Sequence, residues 1–140
     1  MNIAKWMIPK VLTALLREDN TVRQGLEVFK KHGYTAVPVL DEAGHYIGCV
    51  TEGDFLRHLL YTGTTDLKAH ERCNIGSIIR RDFCPALGID AEDEVVMEAM
   101  MNQNFVPIVD DRGTLCGILT RKKYMEYLAE KADSWSLLFC

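Results

Sequence analysis

Residues 37–56 read VPVLDEAGHYIGCVTEGDFL and residues 106–125 read VPIVDDRGTLCGILTRKKYM. The two stretches align without a gap at a constant offset of 69 (106 − 37). Six positions are identical: Val37/Val106, Pro38/Pro107, Asp41/Asp110, Gly44/Gly113, Gly48/Gly117 and Thr51/Thr120. Most of the others exchange one apolar residue for another, as in Val39/Ile108, Val50/Leu119 and Phe55/Tyr124. One unit is written twice, and an internal duplication governs every other reading of the chain.

Working outward, each copy has the same physical grammar. An amphipathic helix comes first: Asn20 is placed to cap it, Val22, Leu26 and Phe29 share one face, and Gly33 stops it. In the second copy Asp90 takes the capping place and Val96 and Met100 point inward, with a helix-to-strand loop about two residues shorter. A strand follows at 36–40 or 105–109, apolar on both faces as a buried strand is. The turns 41–44 and 110–113 carry Gly for positive φ, and second strands run over 46–51 and 115–120. A closing helix bears Phe55, Leu56 and Leu59, or Tyr124, Met125 and Leu128. A short extended segment precedes each unit, around Val11 and Leu12 or around Ala86 and Leu87. A unit of about 60 residues has little core of its own, so packing the two sheets face to face is expected to bury the remainder. The predicted fold is α+β: units at 8–62 and 74–129 related by pseudo-twofold symmetry, a linker at 63–73 and a tail at 130–140.

Composition narrows the function classes. The chain has 140 residues, 48% hydrophobic and 26% charged, with a mean hydropathy of -0.05, as a soluble globular protein does. Its longest stretch without Asp, Glu, Lys or Arg is 11 residues, 99–109, against the roughly 20 a membrane span needs. Pro9 and Lys10 interrupt the early apolar run, so no secretory signal is expected and the location expected is cytoplasmic. A net charge of -4 argues against a broad nucleic-acid surface. Five cysteines without a CxxC pair make neither a disulfide framework nor a zinc site. The four histidines are 12 or 13 residues apart, off any shared helical face. With no GxSxG elbow and no GxxxxGK[ST] loop, no catalysis, metal or cofactor is expected. His45 and His58 are read as structural, Met97, Met100 and Met101 as core, and the apolar tail 135–140 as packing across a partner or fraying.

The chemistry concentrates where the second strand passes into its helix. In Gly48-Cys49-Val50-Thr51-Glu52-Gly53-Asp54, the Thr51 hydroxyl and the following N–H groups can face an anion. Asp54, three residues on, can accept from a ribose diol; equally, Thr51 can simply cap the helix while Asp54 suits its dipole. The second copy keeps Thr120 but places Lys123 at the Asp54 position, after Arg121 and Lys122. Cations at a helix start oppose the dipole, so they either meet a phosphate-rich ligand or form a solvated run.

The apolar-Pro-apolar strand, its Asp, the turn Gly and the G-h-h-T-x-x-D motif, repeated in register, resemble the tandem CBS domain pair, or Bateman module, over roughly residues 8–128. The resemblance implies two clefts between the units. One would join Thr51 and Asp54 to Cys84, Ala86, Asn104, Phe105 and Val106; the other would join Thr120, Arg121 and Lys123 to Lys10, Leu12, Tyr34, Thr35 and Ala36. It implies a non-catalytic regulatory module binding AMP, ADP or ATP and signalling to an effector protein not identified by the sequence. Residues 33–40 with 119–121 are further similar to stand-alone bacterial CBS-pair receptors for cyclic di-AMP, the alternative ligand, which the basic cleft would suit. A ligand-free dimerisation scaffold is the third reading. A homodimer is expected, with Phe55, Leu59, Tyr124 and Leu128 facing the second copy.

Overall fold

A computed structural model describes the backbone of residues 1–139 and the side chains of residues 1–133. The first part of the chain forms α1 (Ile3–Trp6), β1 (Ile8–Pro9), a 3-10 turn (Lys10–Leu12), β2 (Leu16–Arg17), α2 (Val22–His32), β3 (Ala36–Leu40), β4 (Tyr46–Thr51) and α3 (Glu52–Thr62). Two 3-10 turns (Ala69–Glu71 and Ile75–Ser77) lead to β5 (Leu87–Gly88), α4 (Asp93–Asn102), β6 (Phe105–Val109), β7 (Leu115–Thr120) and α5 (Arg121–Phe139). The fold is α+β, with a three-stranded sheet β2-β3-β4 and a four-stranded sheet β1-β7-β6-β5. The 69-residue offset is kept at both ends of β3/β6 and β4/β7. Even the bulge recurs: register slips between Val39 and Leu40 and again between Ile108 and Val109.

Local expectations hold in kind and shift in place. The α2 cap is Thr21, not Asn20: Thr21 and Gln24 form a reciprocal capping box, while the Asn20 side chain accepts from the Arg17 N–H. The N-cap of α4 is Glu92 rather than Asp90, and Asp93 and Glu94 supply acidic charge to the first turn. The second helix-to-strand loop is one residue shorter than the first, two residues against three. In the first copy the leading strand is β2, not Val11 and Leu12, which stand 88% and 73% exposed in the 3-10 turn that Pro9 caps. In the second copy it is β5, where expected.

The two cores use matching positions. Val37, Val39, Val50 and Phe55 fill the first, and their counterparts Val106, Ile108, Leu119 and Tyr124 fill the second. Phe55 and Tyr124 therefore do not face a second copy; they are 4% and 7% exposed, and the next residues, Leu56 and Met125, point outward instead. Leu59 and Leu128 are half-buried. Of the three methionines read as core, only Met100 is buried; Val96 and Met100 face inward four apart, which turns Met97 and Met101 outward.

Each core is closed by a segment from elsewhere in the chain. Ile3 packs into the second core, and β1 pairs Ile8 with Ile118 and Pro9 with Gly117. A side chain at Gly117 would run into the Ile8 carbonyl. The first core takes in Ile75, for which Gly25 leaves the room. The units meet about a local twofold axis: His45 bridges antiparallel to Thr114, its own counterpart (45 + 69). The flanking bonds are symmetric, Tyr46 N–H to the Gly113 carbonyl at 3.0 Å and Leu115 N–H to the Gly44 carbonyl at 3.1 Å. The apolar tail 135–140 lies outside the residues whose side chains are described.

Candidate functional site

Two clefts open between the units, one on each side of the axis. The larger, about 310 Å³, is walled by Leu12, Thr13, Ala14, Tyr34, Thr35, Ala36 and Pro38 of the first half and by Asn104, Phe105, Ile118 and Thr120 of the second. Of its expected residues, Leu12, Tyr34, Thr35, Ala36 and Thr120 line it. The basic ones do not line it. Lys10 extends its amine toward the Gly44 turn, Arg121 Nε donates to the Gln103 carbonyl at 3.0 Å, and Lys123 Nζ lies 3.5 Å from Glu126. Thr120 Oγ1 accepts the Lys123 N–H at 3.2 Å, so it caps α5.

The smaller cleft, about 120 Å³, is lined by Ala36, Cys49, Phe83, Cys84, Asn102, Gln103, Asn104 and Phe105. Cys84, Asn104 and Phe105 were expected there. Val106 instead fills the second core, Ala86 sits just before β5, and Thr51 and Asp54 lie outside the lining. Ala36, Asn104 and Phe105 border both clefts, and Ala36 and Phe105 are repeat counterparts.

Asp54 is 3% exposed and its oxygens are occupied. Oδ2 accepts the Thr51 N–H at 2.8 Å and the Thr51 hydroxyl at 3.0 Å; Oδ1 accepts Arg57 Nη2 at 2.6 Å and Arg80 Nε at 3.1 Å. The Arg80 guanidinium also lies over the Phe83 ring at 3.8 Å. The segment that carries it lies across β4: Arg80 bridges to Cys49, and the Tyr46 hydroxyl donates to the Cys84 carbonyl. Gly48, with φ 155°, lets that segment approach; a side chain there would crowd the Arg80 carbonyl. A ribose could reach the Asp54 carboxylate only after an arginine leaves. The sequence did hold a sign of Arg57, three residues beyond Asp54 on one helix. Arg80 has no such sign, being brought in from 26 residues away by the irregular segment between Ser77 and β5.

His45 and His58 each have a partner within the fold. His45 bonds to Asp41 through its N–H and its ring, and that backbone N–H is the main cause holding the Asp41 carboxyl below its ordinary value. His58 Nε2 meets Nδ1 of fully buried His70 at 3.2 Å, a pairing that sequence spacing gave no reason to expect. His70 Nε2 lies 2.9 Å from the Thr64 carbonyl, which only accepts, so that nitrogen is the donor in this contact. Among the described residues no group of three or more His, Cys, Asp or Glu is placed to hold a metal ion, and no helix is long and apolar enough to cross a membrane.

Two duplicated α+β units enclosing paired clefts about a local twofold define a class of tandem-domain protein, and the chain belongs to the CBS domain family, whose profile matches residues 3–61 and 76–130. Cyclic di-AMP receptor B of Bacillus subtilis (strain 168) is 23% identical over 126 residues, 90% of this chain and 85% of that protein. A crystal structure of CbpB in complex with c-di-AMP superposes with a TM-score of 0.86 at 17% identity, covering 97% of this chain and 89% of the other. The Listeria monocytogenes CbpB complex with c-di-AMP gives 0.80 at 21% identity, covering 95% and 98%.

Proposed function

We propose that this chain is a non-catalytic regulatory module that takes up an adenine nucleotide between its units, and that the ligand of the larger cleft is cyclic di-AMP. The carrying observation is the character of that cleft: none of its lining residues is charged, its walls mix apolar residues with Thr13, Thr35, Asn104 and Thr120, and Lys10 and Arg121 are close to its lining residues Leu12 and Thr120 in sequence. Cyclic di-AMP has no free 2′,3′-diol, because each 3′ oxygen is esterified, so a carboxylate would gain little from it. Leu12, Tyr34, Phe105 and Ile118 supply surfaces for base faces, and the cations suit phosphodiesters. The names of the relatives, a cyclic di-AMP receptor and CbpB bound to c-di-AMP, support the same ligand. The smaller cleft is the place for AMP, ADP or ATP, which must first displace Arg80 from Asp54. We further read the module as a homodimer that joins through the outward apolar residues Leu56 and Met125 and signals occupancy to an effector protein.

Calorimetric titration with cyclic di-AMP, AMP and ATP tests this. Cyclic di-AMP is expected to bind, and Arg121→Ala to weaken it about tenfold or more, the worth of one charge-assisted hydrogen bond. Asp54→Ala is expected to leave cyclic di-AMP binding unchanged. Binding of AMP or ATP without cyclic di-AMP would make the module a mononucleotide sensor. No heat and no thermal shift with any of the three would leave the scaffold reading.

A further inference from the structure

The helices of the two units match in place and differ in charge. Helices α3 and α5 begin 69 residues apart, as the strands do, and α2 and α4 align from their first residues, Val22 and Asp93, 71 apart. On that alignment Arg23 corresponds to Glu94 and Arg57 to Glu126, two reversals of sign, while Lys30 and Lys31 correspond to Met101 and Asn102. Helix α2 thus carries Arg23, Lys30 and Lys31 against Glu27, whereas α4 carries Asp93, Glu94 and Glu98 and no cation. Part of this charge is met within the chain: Arg23 pairs with Glu71, Arg57 with Asp54, Glu126 with Lys123, and Asp93 with the N-terminal amine. Lys30, Lys31, Glu94 and Glu98 are exposed, and among the described residues they form no ion pair. The apolar surfaces differ in shape as well. Leu56 and Leu60, 58% and 73% exposed and four apart, form a ridge on α3, which touches α2 through Phe55 and Phe29. Between α4 and α5 runs a groove of about 330 Å³ lined by Met97, Met100, Met101, Met125 and Leu128. Methionines mould to an inserted aliphatic side chain. A ridge beside a basic helix and a groove beside an acidic one complement each other, and neither complements itself.

We propose, resting on the homodimer reading above, that two copies join head to tail: α2 and α3 of one copy seat on α4 and α5 of the other, and a twofold axis makes that contact twice. Leu56 and Leu60 enter the methionine groove of the second copy, and Lys30 and Lys31 face its Glu94 and Glu98. A head-to-head pair would instead set α2 against α2 and α4 against α4, cation on cation and carboxylate on carboxylate, an arrangement that like charges oppose. The head-to-tail contact also brings α3, the helix that carries Asp54 and Arg57, against the second copy.

The test is light scattering on dilution of the full chain and of charge-reversed variants. The wild-type chain is expected at twice its mass of 15.9 kDa. Lys30→Glu with Lys31→Glu should weaken the dimer about tenfold or more, and Glu94→Lys with Glu98→Lys should do the same. A chain carrying all four changes regains opposite charges across both contacts and should recover most of the loss. In a head-to-head dimer each reversal only exchanges one like pair for another, so a dimer showing neither loss nor recovery overturns the proposal and leaves the homodimer standing. A wild-type monomer at micromolar concentration overturns both. Should a variant fold poorly, the wild-type chain still decides: carbodiimide coupling of mixed unlabelled and isotope-labelled chains should join Lys30 or Lys31 of one copy to Glu94 or Glu98 of the other. Links between copies that join only like units overturn the head-to-tail contact, as does the lack of any link between copies at those lysines.

Discussion

Strands β4 and β7 hand over to their helices through the same residue, and the two junctions then part company. Thr51 and Thr120 each accept the N–H of the residue three positions on, both at 3.2 Å. The next backbone N–H also does matching work, Glu52 to the Thr35 carbonyl at 3.1 Å and Arg121 to the Asn104 carbonyl at 3.3 Å. The third helical side chain breaks the match. Asp54 turns back into the junction and gathers Arg57 and Arg80, whereas Lys123 reaches outward to Glu126. A duplicated backbone thus carries two different clefts, and one side chain separates the junction that holds Arg80 from the one that does not.

That comparison can be broken most forcefully in the cores. Phe55→Ala should cost about 3–5 kcal/mol in urea denaturation, since it also removes an edge-on contact with Phe29 at 4.9 Å between centroids. Tyr124→Ala should cost about the same; a loss under about 1 kcal/mol at either place would end the equivalence of the two units. A smaller and asymmetric effect is expected at the junctions. Asp54→Ala strips a cap and strands two guanidiniums, about 1–3 kcal/mol after allowing for their exposure. Lys123→Ala should stay within about 0.5 kcal/mol, and equal costs would show the Asp54 pairing to be idle.

Acid should distinguish the units further. Burial, then the neighbouring His70, holds His58 below its ordinary value of 6.5. Because the folded value is the lower one, the stability it contributes is complete above about pH 6.5 and is lost as the pH falls below it. The urea midpoint should therefore drop between about pH 7.5 and 5.5, and His58→Gln should flatten that drop. An unchanged slope in the variant would place the sensitivity elsewhere. The smallest effect is common to both units. Backbone N–H groups hold Asp41 and Asp110 below 3.8, so their contribution persists above that value and disappears as the pH falls through their lower folded values. Asn at both positions should remove a shallow loss of stability seen in strongly acidic urea titrations.

The repeat was legible because its signals are local. Turn glycines, paired apolar strands and the capping threonine each act within a few residues, so β3, β4, β6 and β7 are found where the sequence puts them. Choices among adjacent candidates were not legible at that resolution. Asn20 and Thr21 are both good caps, and only the Gln24 side chain closing on Thr21 decides between them. The outward turn of Leu56 and Met125 depends on which residue meets the core first, which a helical period alone leaves open by one position. In the clefts, the strand-derived lining was legible and the state of Asp54 was not. Its partner Arg80 and the His58–His70 contact both arrive through the stretch between α3 and β5, whose course has no periodicity to follow.

The placement of β1 has a consequence for how the protein is made. Its partner Ile118 follows Ile8 by 110 positions (118 − 8), so the strand leaves the ribosome long before anything exists for it to pair with. The first unit needs only β2, β3, β4 and the stretch through Ile75, and it can condense while synthesis continues. Ile3 and Ile8 must wait beside it, apolar and uncovered, a window in which a nascent chain is open to chaperones and to misassembly. Docking of β1 is then a contact of very high sequence separation, the kind that forms slowly. Residues made before any strand of the first unit are thus the ones that finish the second sheet.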